Sequence, residues 1–263
     1  MPILEIDGRR VHFVDAGSGP QTVLLLHAFP LNARMWDAQV SALAGRYRVI
    51  APDVPGFGGS AGGDGASTMS RLASDALEVL ARLGVARACV VGLSMGGYVA
   101  FELFRRRPDV VRALALCDTR AGADTAEGAT GREAFAVRAI ERGLPWVADE
   151  LLPRLLGPRA SAGVVAEVRA RIAEGTPAGV AAAQRGMALR PDSTPTLAQI
   201  RVPTLVLVGT QDVLTPPAES RRMAAAIEGA RLVELPGVGH LSNLEAPTEF
   251  NRALGTFLDG LPS

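Results

Sequence analysis

Ser94 stands in the stretch Gly92-Leu93-Ser94-Met95-Gly96, where a small apolar run breaks at one serine between two glycines and then resumes. Two readings fit such a stretch: loop punctuation, or a G-x-S-x-G turn that lifts a nucleophilic hydroxyl clear of a strand. The spelling alone does not choose between them, because at about 7% glycine a chain of this length shows it by chance roughly once in ten. A serine hydroxyl is a weak nucleophile at neutral pH and needs a base within reach and a carboxylate to orient that base. The chain has three histidines. His12 lies in an early strand-like run, and His27 ends the run "TVLLLH", where its work is to hold a turn. His240 sits in "LPGVGHLSNLEAP", beyond the last strand-like run and before the last helix, a placement that suits a general base. Asp212, in "TLVLVGTQDVLTPP", follows a buried strand and precedes His240. It is preferred as the orienting acid over Asp118, which also ends a strand, because its order and loop context match. Together Ser94, His240 and Asp212 could transfer an acyl group to water.

Residues so far apart meet only if a fold brings strand ends together. Short β-branched or leucine-rich runs recur at 9–16, 22–26, 47–53, 86–92, 111–118, 204–209 and 231–237. Most are continuous rather than alternating, as in strands buried on both faces of a parallel sheet. Helical periodicity fills residues 67–83, 95–106, 217–228 and 247–258, with Ser67 as the expected cap and Gly84 as the expected end of the first. Strands alternating with helices predict an α/β chain with a doubly wound sheet. Residues 120–197 break the rhythm: alanine-, leucine- and arginine-rich helical pattern, cut by Pro145, Pro153, Pro158 and Pro177, reads as a helical insertion over one end of the sheet. Ligands of open α/β sheets bind outside the carboxyl ends of the strands, so a lid there would close a pocket.

Composition narrows the function classes. The 263 residues are 48% hydrophobic and 21% charged, enough for one large α/β domain with an insertion. Basic and acidic residues balance at 27 each, so no global field draws in nucleic acid or an anionic membrane. Every basic residue is arginine, which excludes lysine Schiff-base chemistry. Cys89 and Cys117 lie in apolar runs without metal-ligand or disulfide spacing and read as inert core thiols. No leader pattern or long apolar run is present, so a soluble cytoplasmic protein is expected.

The stretches "HAFP" (27–30), "DVPGFGGS" (53–60), "GLSMGG" (92–97), "GTQDVLTPP" (209–217) and "GVGHLSNLEAP" (237–247) together resemble the α/β-hydrolase fold enzymes, in that family's order and over nearly the whole chain. The resemblance implies a doubly wound, mostly parallel sheet with a helical lid inserted after the sixth strand. The core would comprise residues 1–120 and 198–263, and the lid residues 121–197. It implies Ser94 as nucleophile, His240 as base and Asp212 as acid, with an oxyanion hole made by the backbone N–H groups of Met95 and Phe29. One departure bears on Phe29: the family's His-Gly is His27-Ala28 here. Alanine does not take a positive φ freely, which leaves the shape of that turn open.

Serine at position 94 disfavours the dehalogenase and epoxide hydrolase branches, which the resemblance would give aspartate there. The segment "LALCDTRAGADTAEG" and the small lid look most similar to the 3-oxoadipate enol-lactonase-like and carboxylesterase branch, which opens small lactones or esters. The implied substrate is a small ester or lactone, with no metal or organic cofactor and no nucleic-acid or membrane partner; the oligomeric state stays open. An anionic substrate would need a cation, and Arg132, Arg138, Arg142, Arg154 and Arg159 are on offer. Trp146, the lid's large aromatic, is read as lining the pocket or pinning the lid to the core. Two alternatives remain: a perhydrolase or carbon–carbon bond hydrolase on the same three residues, and a small-molecule receptor on this fold.

Overall fold

The computed structural model of the protein describes residues 2–63 and 65–262. Its eight strands are β1 (Ile3–Ile6), β2 (Arg9–Ala16), β3 (Thr22–Leu26), β4 (Arg48–Pro52), β5 (Ala88–Leu93), β6 (Val111–Cys117), β7 (Thr204–Gly209) and β8 (Arg231–Leu235). They form one sheet in the order β1-β2-β4-β3-β5-β6-β7-β8. β1 and β2 pair antiparallel with their neighbours, and every pair from β4 to β8 is parallel. The continuous apolar runs are the central strands: β3, β5 and β7 are buried at every position. Short, polar-interrupted β1 at the edge was not anticipated, because four residues with Ile3 exposed carry little pattern.

The helices are α1 (Asp37–Leu43), α2 (Met69–Arg82), α3 (Met95–Arg106), α4 (Ala126–Leu155), α5 (Ala162–Ala173), α6 (Pro177–Ala188), α7 (Thr194–Leu197), α8 (Pro217–Ala226), α9 (Ser242–Glu245) and α10 (Pro247–Asp259). Right-handed crossovers dictate their faces. The step from β3 to β4 runs opposite to the step from β4 over to β5, so α1 falls on one face and α2 and α3 on the other. Accordingly α1 packs with α10, and α2 with α3. That reversal leaves a crevice at the carboxyl ends of β3 and β5, the place where open α/β sheets take ligands. α2 is capped by Thr68, which accepts from the Arg71 N–H at 3.3 Å, rather than by Ser67.

Helices α4 to α7 occupy the stretch between β6 and β7. Pro145 and Pro153 do not cut α4; it breaks instead at Gly143, whose φ of 76° and ψ of −177° leave the helical region, and Pro145 sits in the first turn after that break. Pro177 occupies the first turn of α6. The helical layer meets the core at backbone distance. Ser67, one residue before the cap, donates its N–H to the Ala182 carbonyl at 3.0 Å. A Cβ on Gly186 would lie 1.8 Å from the Ser67 carbonyl oxygen.

Cys89 and Cys117 are free and buried in the sheet; burial pushes the Cys89 thiol up to about 11 and Cys117 well above its ordinary value. Neither is a thiolate at neutral pH. No helix among the described residues is long and apolar enough to cross a membrane.

The α6 contact makes a prediction. Gly186→Ala forces α6 off the Ser67 segment and costs about 1–3 kcal/mol, read as a lower urea midpoint; an unchanged midpoint would show that the two layers move apart freely.

Candidate active site

The chain turns at Ser94 from the end of β5 straight into α3. Ser94 has φ 55° and ψ −113°, a left-handed conformation rare for a residue with a side chain. Strain of this kind costs on the order of 1–3 kcal/mol and persists only where the surroundings impose it. Here they do: the Ser94 N–H donates to the Cys117 carbonyl at 3.0 Å, and its carbonyl accepts from the Gly97 N–H at 2.9 Å and the Thr119 hydroxyl at 2.8 Å. The two flanking glycines are needed for approach. A Cβ on Gly92 would stand 2.3 Å from the Gly96 carbonyl oxygen, and one on Gly96 only 2.0 Å from that of Leu26 in β3. The Ser94 side chain is held off the sheet, over the positive end of α3.

His240 lies in the segment after β8, and Asp212 follows β7. Both are buried, and His240 Nδ1 is 2.8 Å from Asp212 Oδ2. Asp212 is itself immobilised: Oδ1 accepts from the N–H groups of Leu214 at 2.8 Å and Thr215 at 2.9 Å, while the Thr215 hydroxyl donates to Oδ2 at 2.6 Å. Burial pushes this carboxyl up, but the imidazole and the Thr215 donors outweigh it and hold Asp212 below the usual range. An ionised Asp212 keeps the imidazole proton on Nδ1, so Nε2, which has no protein partner among the described residues, is left as the acceptor. Thr215 was not singled out in the sequence, although an aspartate followed three residues later by threonine is the spelling of a side-chain-capped turn.

Asp118 ends β6 beside Ser94 and is a different kind of acid. It has φ 43°, is fully buried, accepts from the Gly209 N–H at 2.9 Å and is hydrogen-bonded to the Ser242 hydroxyl. Burial, with the charge of Asp212 added, pushes its carboxyl well above the ordinary value. The two carboxyls are thus shifted in opposite directions, and no hydrogen bond joins Asp118 to His240. Glu245 braces the His240 segment from outside, accepting from the N–H groups of Gly239 at 3.1 Å and Gly157 at 2.9 Å.

A cavity of about 380 Å³ opens over these groups, and Ser94, His240, Thr215 and Phe29 all line it. Leu26 of β3 pairs in register with Gly92 of β5, and Phe29 and Met95 each follow that pair by three residues at the carboxyl ends of the two strands. Neither backbone N–H has a protein acceptor among the described residues, which makes the pair available to a developing oxyanion. Ala28 takes no positive φ; it is buried, and the Phe29-Pro30 bond beyond it is cis. His27 holds the turn as expected of it: Nδ1 donates to the Ala28 carbonyl at 3.0 Å and Nε2 accepts from the Val54 N–H at 2.9 Å. Burial lowers the His27 pKa and keeps the ring neutral.

The expectation that Trp146 touches the pocket is corrected. Trp146 is half-buried against Phe135, with ring centroids 4.9 Å apart, and of the two rings Phe135 lines the cavity. Arg138 and Arg142 lie over the outer face of Trp146, while Arg132 and Arg154 line the cavity. Arg120 and Tyr98 line it too and were not anticipated. Tyr98 was legible in hindsight, one helical turn beyond Ser94. Arg120 carried no local signal.

Comparison with known proteins agrees with this fold. Residues 23–253 match the model of the Alpha/beta hydrolase family. The structure of a thermophilic esterase from Thermogutta terrifontis, malate bound, superposes with a TM-score of 0.97 at 39% identity, covering 100% of both chains. That of the enol-lactonase from Burkholderia xenovorans LB400 gives 0.89 at 32% identity over 98% of this chain and all of the other. A pimeloyl-[acyl-carrier protein] methyl ester esterase of Nitrosomonas europaea is 30% identical over 91% of this chain and 96% of its own length.

The two acids can be told apart by stability. The folded chain holds the Asp118 proton more tightly than the unfolded chain does, so this group favours folding at low pH and the contribution falls as pH rises towards its folded-state value. Asp118→Asn keeps a neutral donor and acceptor and removes that loss. Its thermal midpoint relative to wild type should rise between pH 5 and pH 8; a constant difference would mean that Asp118 is ionised in the folded state.

Proposed function

Because the chain belongs to the alpha/beta hydrolase family, we propose that it is a serine hydrolase that cleaves a small carboxylic ester or lactone through an acyl-enzyme on Ser94. One observation carries the reading. A buried, ionised Asp212 holds Nδ1 of His240, and the free side of that imidazole borders the cavity in which the strained Ser94 stands.

In this reading His240 Nε2 takes the Ser94 proton as Oγ attacks the substrate carbonyl carbon. The carbonyl oxygen gains negative charge and is received by the N–H groups of Phe29 and Met95, donors of a kind worth about 2.7–4 kcal/mol each. Collapse of the tetrahedral adduct breaks the bond to the leaving oxygen, and His240 returns the proton to it. From an ester this releases an alcohol; from a lactone the alcohol stays tethered to the acyl chain. Water, deprotonated by His240, then attacks the acyl carbon, and the second collapse frees the acid and restores the Ser94 hydroxyl. Asp212 stabilises the imidazolium formed in each half and holds the tautomer. The esterases and the enol-lactonase among the similar proteins support an ester or lactone as substrate. The two free, buried thiols suit a reducing cytoplasm as the place of action.

Hydrolysis of p-nitrophenyl acetate and butyrate, with fluorophosphonate labelling, tests the reading. Ser94→Ala should abolish labelling and lower kcat by about 10⁴-fold or more, and labelling that survives in that variant would place the nucleophile elsewhere. A wild-type protein that neither labels nor turns over would instead favour the receptor reading. Asp212→Asn, which reverses the tautomer while preserving shape, should lower kcat by about 10⁴-fold; near-wild-type turnover would remove Asp212 from the mechanism.

A further inference from the structure

One wall of the cavity is cationic in a way that ester cleavage alone does not use. Asp124, between β6 and α4, has a side chain only 3% exposed and is contacted by three guanidinium groups. Arg120 Nη2 lies 2.6 Å from Oδ1, Arg190 donates to Oδ1 from Nη2 at 2.8 Å and approaches Oδ2 with Nη1 at 2.8 Å, and Arg132 Nε donates to Oδ2. Four contacts fill the acceptor sites of a carboxylate. Burial opposes ionisation of Asp124, but the Arg190 and Arg132 hydrogen bonds overcome it and bring the group down to about 2. Three cations on one anion leave two positive charges without a counterion.

The unused donors border the cavity that holds Ser94. Arg120 and Arg132 both line it, and Arg120 Nη1 and Arg132 Nη2 have no acceptor among the described residues. Arg154, at the exposed side of the same cavity, has no partner among the described residues either. Ser94, Arg120 and Arg132 line one and the same cavity of about 380 Å³, a space that suits a substrate of only a few carbon atoms between its two ends. Uncompensated charge in a partly enclosed cavity is costly, and a carboxylate is the group whose geometry matches guanidinium donors.

We propose that this wall is a carboxylate subsite: the substrate is an ester or lactone bearing a second, free carboxylate on a short chain, which Arg120 and Arg132 bind while the ester carbonyl meets Ser94. The proposal rests on the hydrolase reading above and narrows it to the half-esters of short dicarboxylic acids and to carboxylate-bearing lactones. Asp124 is the part that keeps the three guanidinium groups converged, and Arg154 adds field at the entrance. A neutral ester of the same length would leave the spare donors to water and lose their contribution.

The test compares monomethyl glutarate with methyl pentanoate, which differ only in carboxylate against methyl. The wild type should favour the half-ester in kcat/KM by at least about tenfold, chiefly through KM, and Arg132→Gln or Arg120→Gln should cut that ratio about tenfold. Arg169→Gln, on the outer face of α5, should keep the wild-type ratio. Should the arginine variants fail to fold, inhibition of the wild type decides: glutarate should compete with p-nitrophenyl acetate where glutaramide at equal concentration does not. Turnover of p-nitrophenyl acetate with no preference for the half-ester and no inhibition by glutarate overturns the subsite and leaves the hydrolase reading standing. An arginine variant that is less stable but keeps the wild-type ratio also overturns it, making the cluster a brace between α4 and α6. No labelling and no ester turnover at all would overturn the hydrolase reading, and the subsite with it.

Discussion

The turn at Ser94 exists only because three backbones meet with no side chain between them. β5 enters it, α3 leaves it, and the end of β3 lies against its glycines, so that even one methyl group at Gly92 or Gly96 would fall within 2.3 Å of a carbonyl oxygen. This contact places everything else in the site. It sets the carboxyl ends of β3 and β5, from which Phe29 and Met95 follow, side by side. It also aims the start of α3 at the cavity and holds Ser94 in a conformation that an isolated peptide would leave at once. The sheet to either side is buried and close-packed, which gives the turn a frame that does not relax around the strain.

Two buried carboxyls beside this turn show how environment divides identical chemistry. Asp118 and Asp212 both follow strand ends, and each suffers from burial. Asp212 has an imidazole and three other donors around it and stays ionised. Asp118 has a hydroxyl and one amide, and feels the charge of Asp212, so its carboxyl is pushed well above the ordinary value. Asp118 also ties β6 to β7 and α9, the elements that carry Asp212 and flank His240. Glu245 extends the same bracing outward, joining the His240 segment to the end of α4 through the Gly157 amide. A shift of α4 would be felt at the imidazole.

The amount that could be read in advance varies by element. Strands β2 to β8 and helices α2, α3, α8 and α10 announce themselves through apolar continuity, period and caps, and their limits fall within a few residues of the expected ones. Ser94, His240 and Asp212 were legible because glycine spacing and chain order are local spellings. Elements of low contrast were missed: β1 is four residues long at an edge, and α1 only seven. Prolines misled in α4, where Gly143 makes the break and Pro145 merely follows it. Trp146 was the natural aromatic to choose by size, yet Phe135, packed against it, is the ring that lines the cavity.

The sequence by itself determined the class of fold and the three side chains proposed to react, since burial pattern, turn chemistry and order along the chain are properties of short segments. It could offer arginines for an anion but not sort them. Arg132 and Arg138 sit six residues apart on one helix, and one borders the cavity while the other lies over the far side of Trp146. The tertiary structure alone decided that, as it decided which aspartate is held below the ordinary carboxylate range and which above it, and which three cations converge on Asp124. Charge and field depend on distances between segments remote in the chain, through a dielectric that folding creates, and no local pattern encodes them.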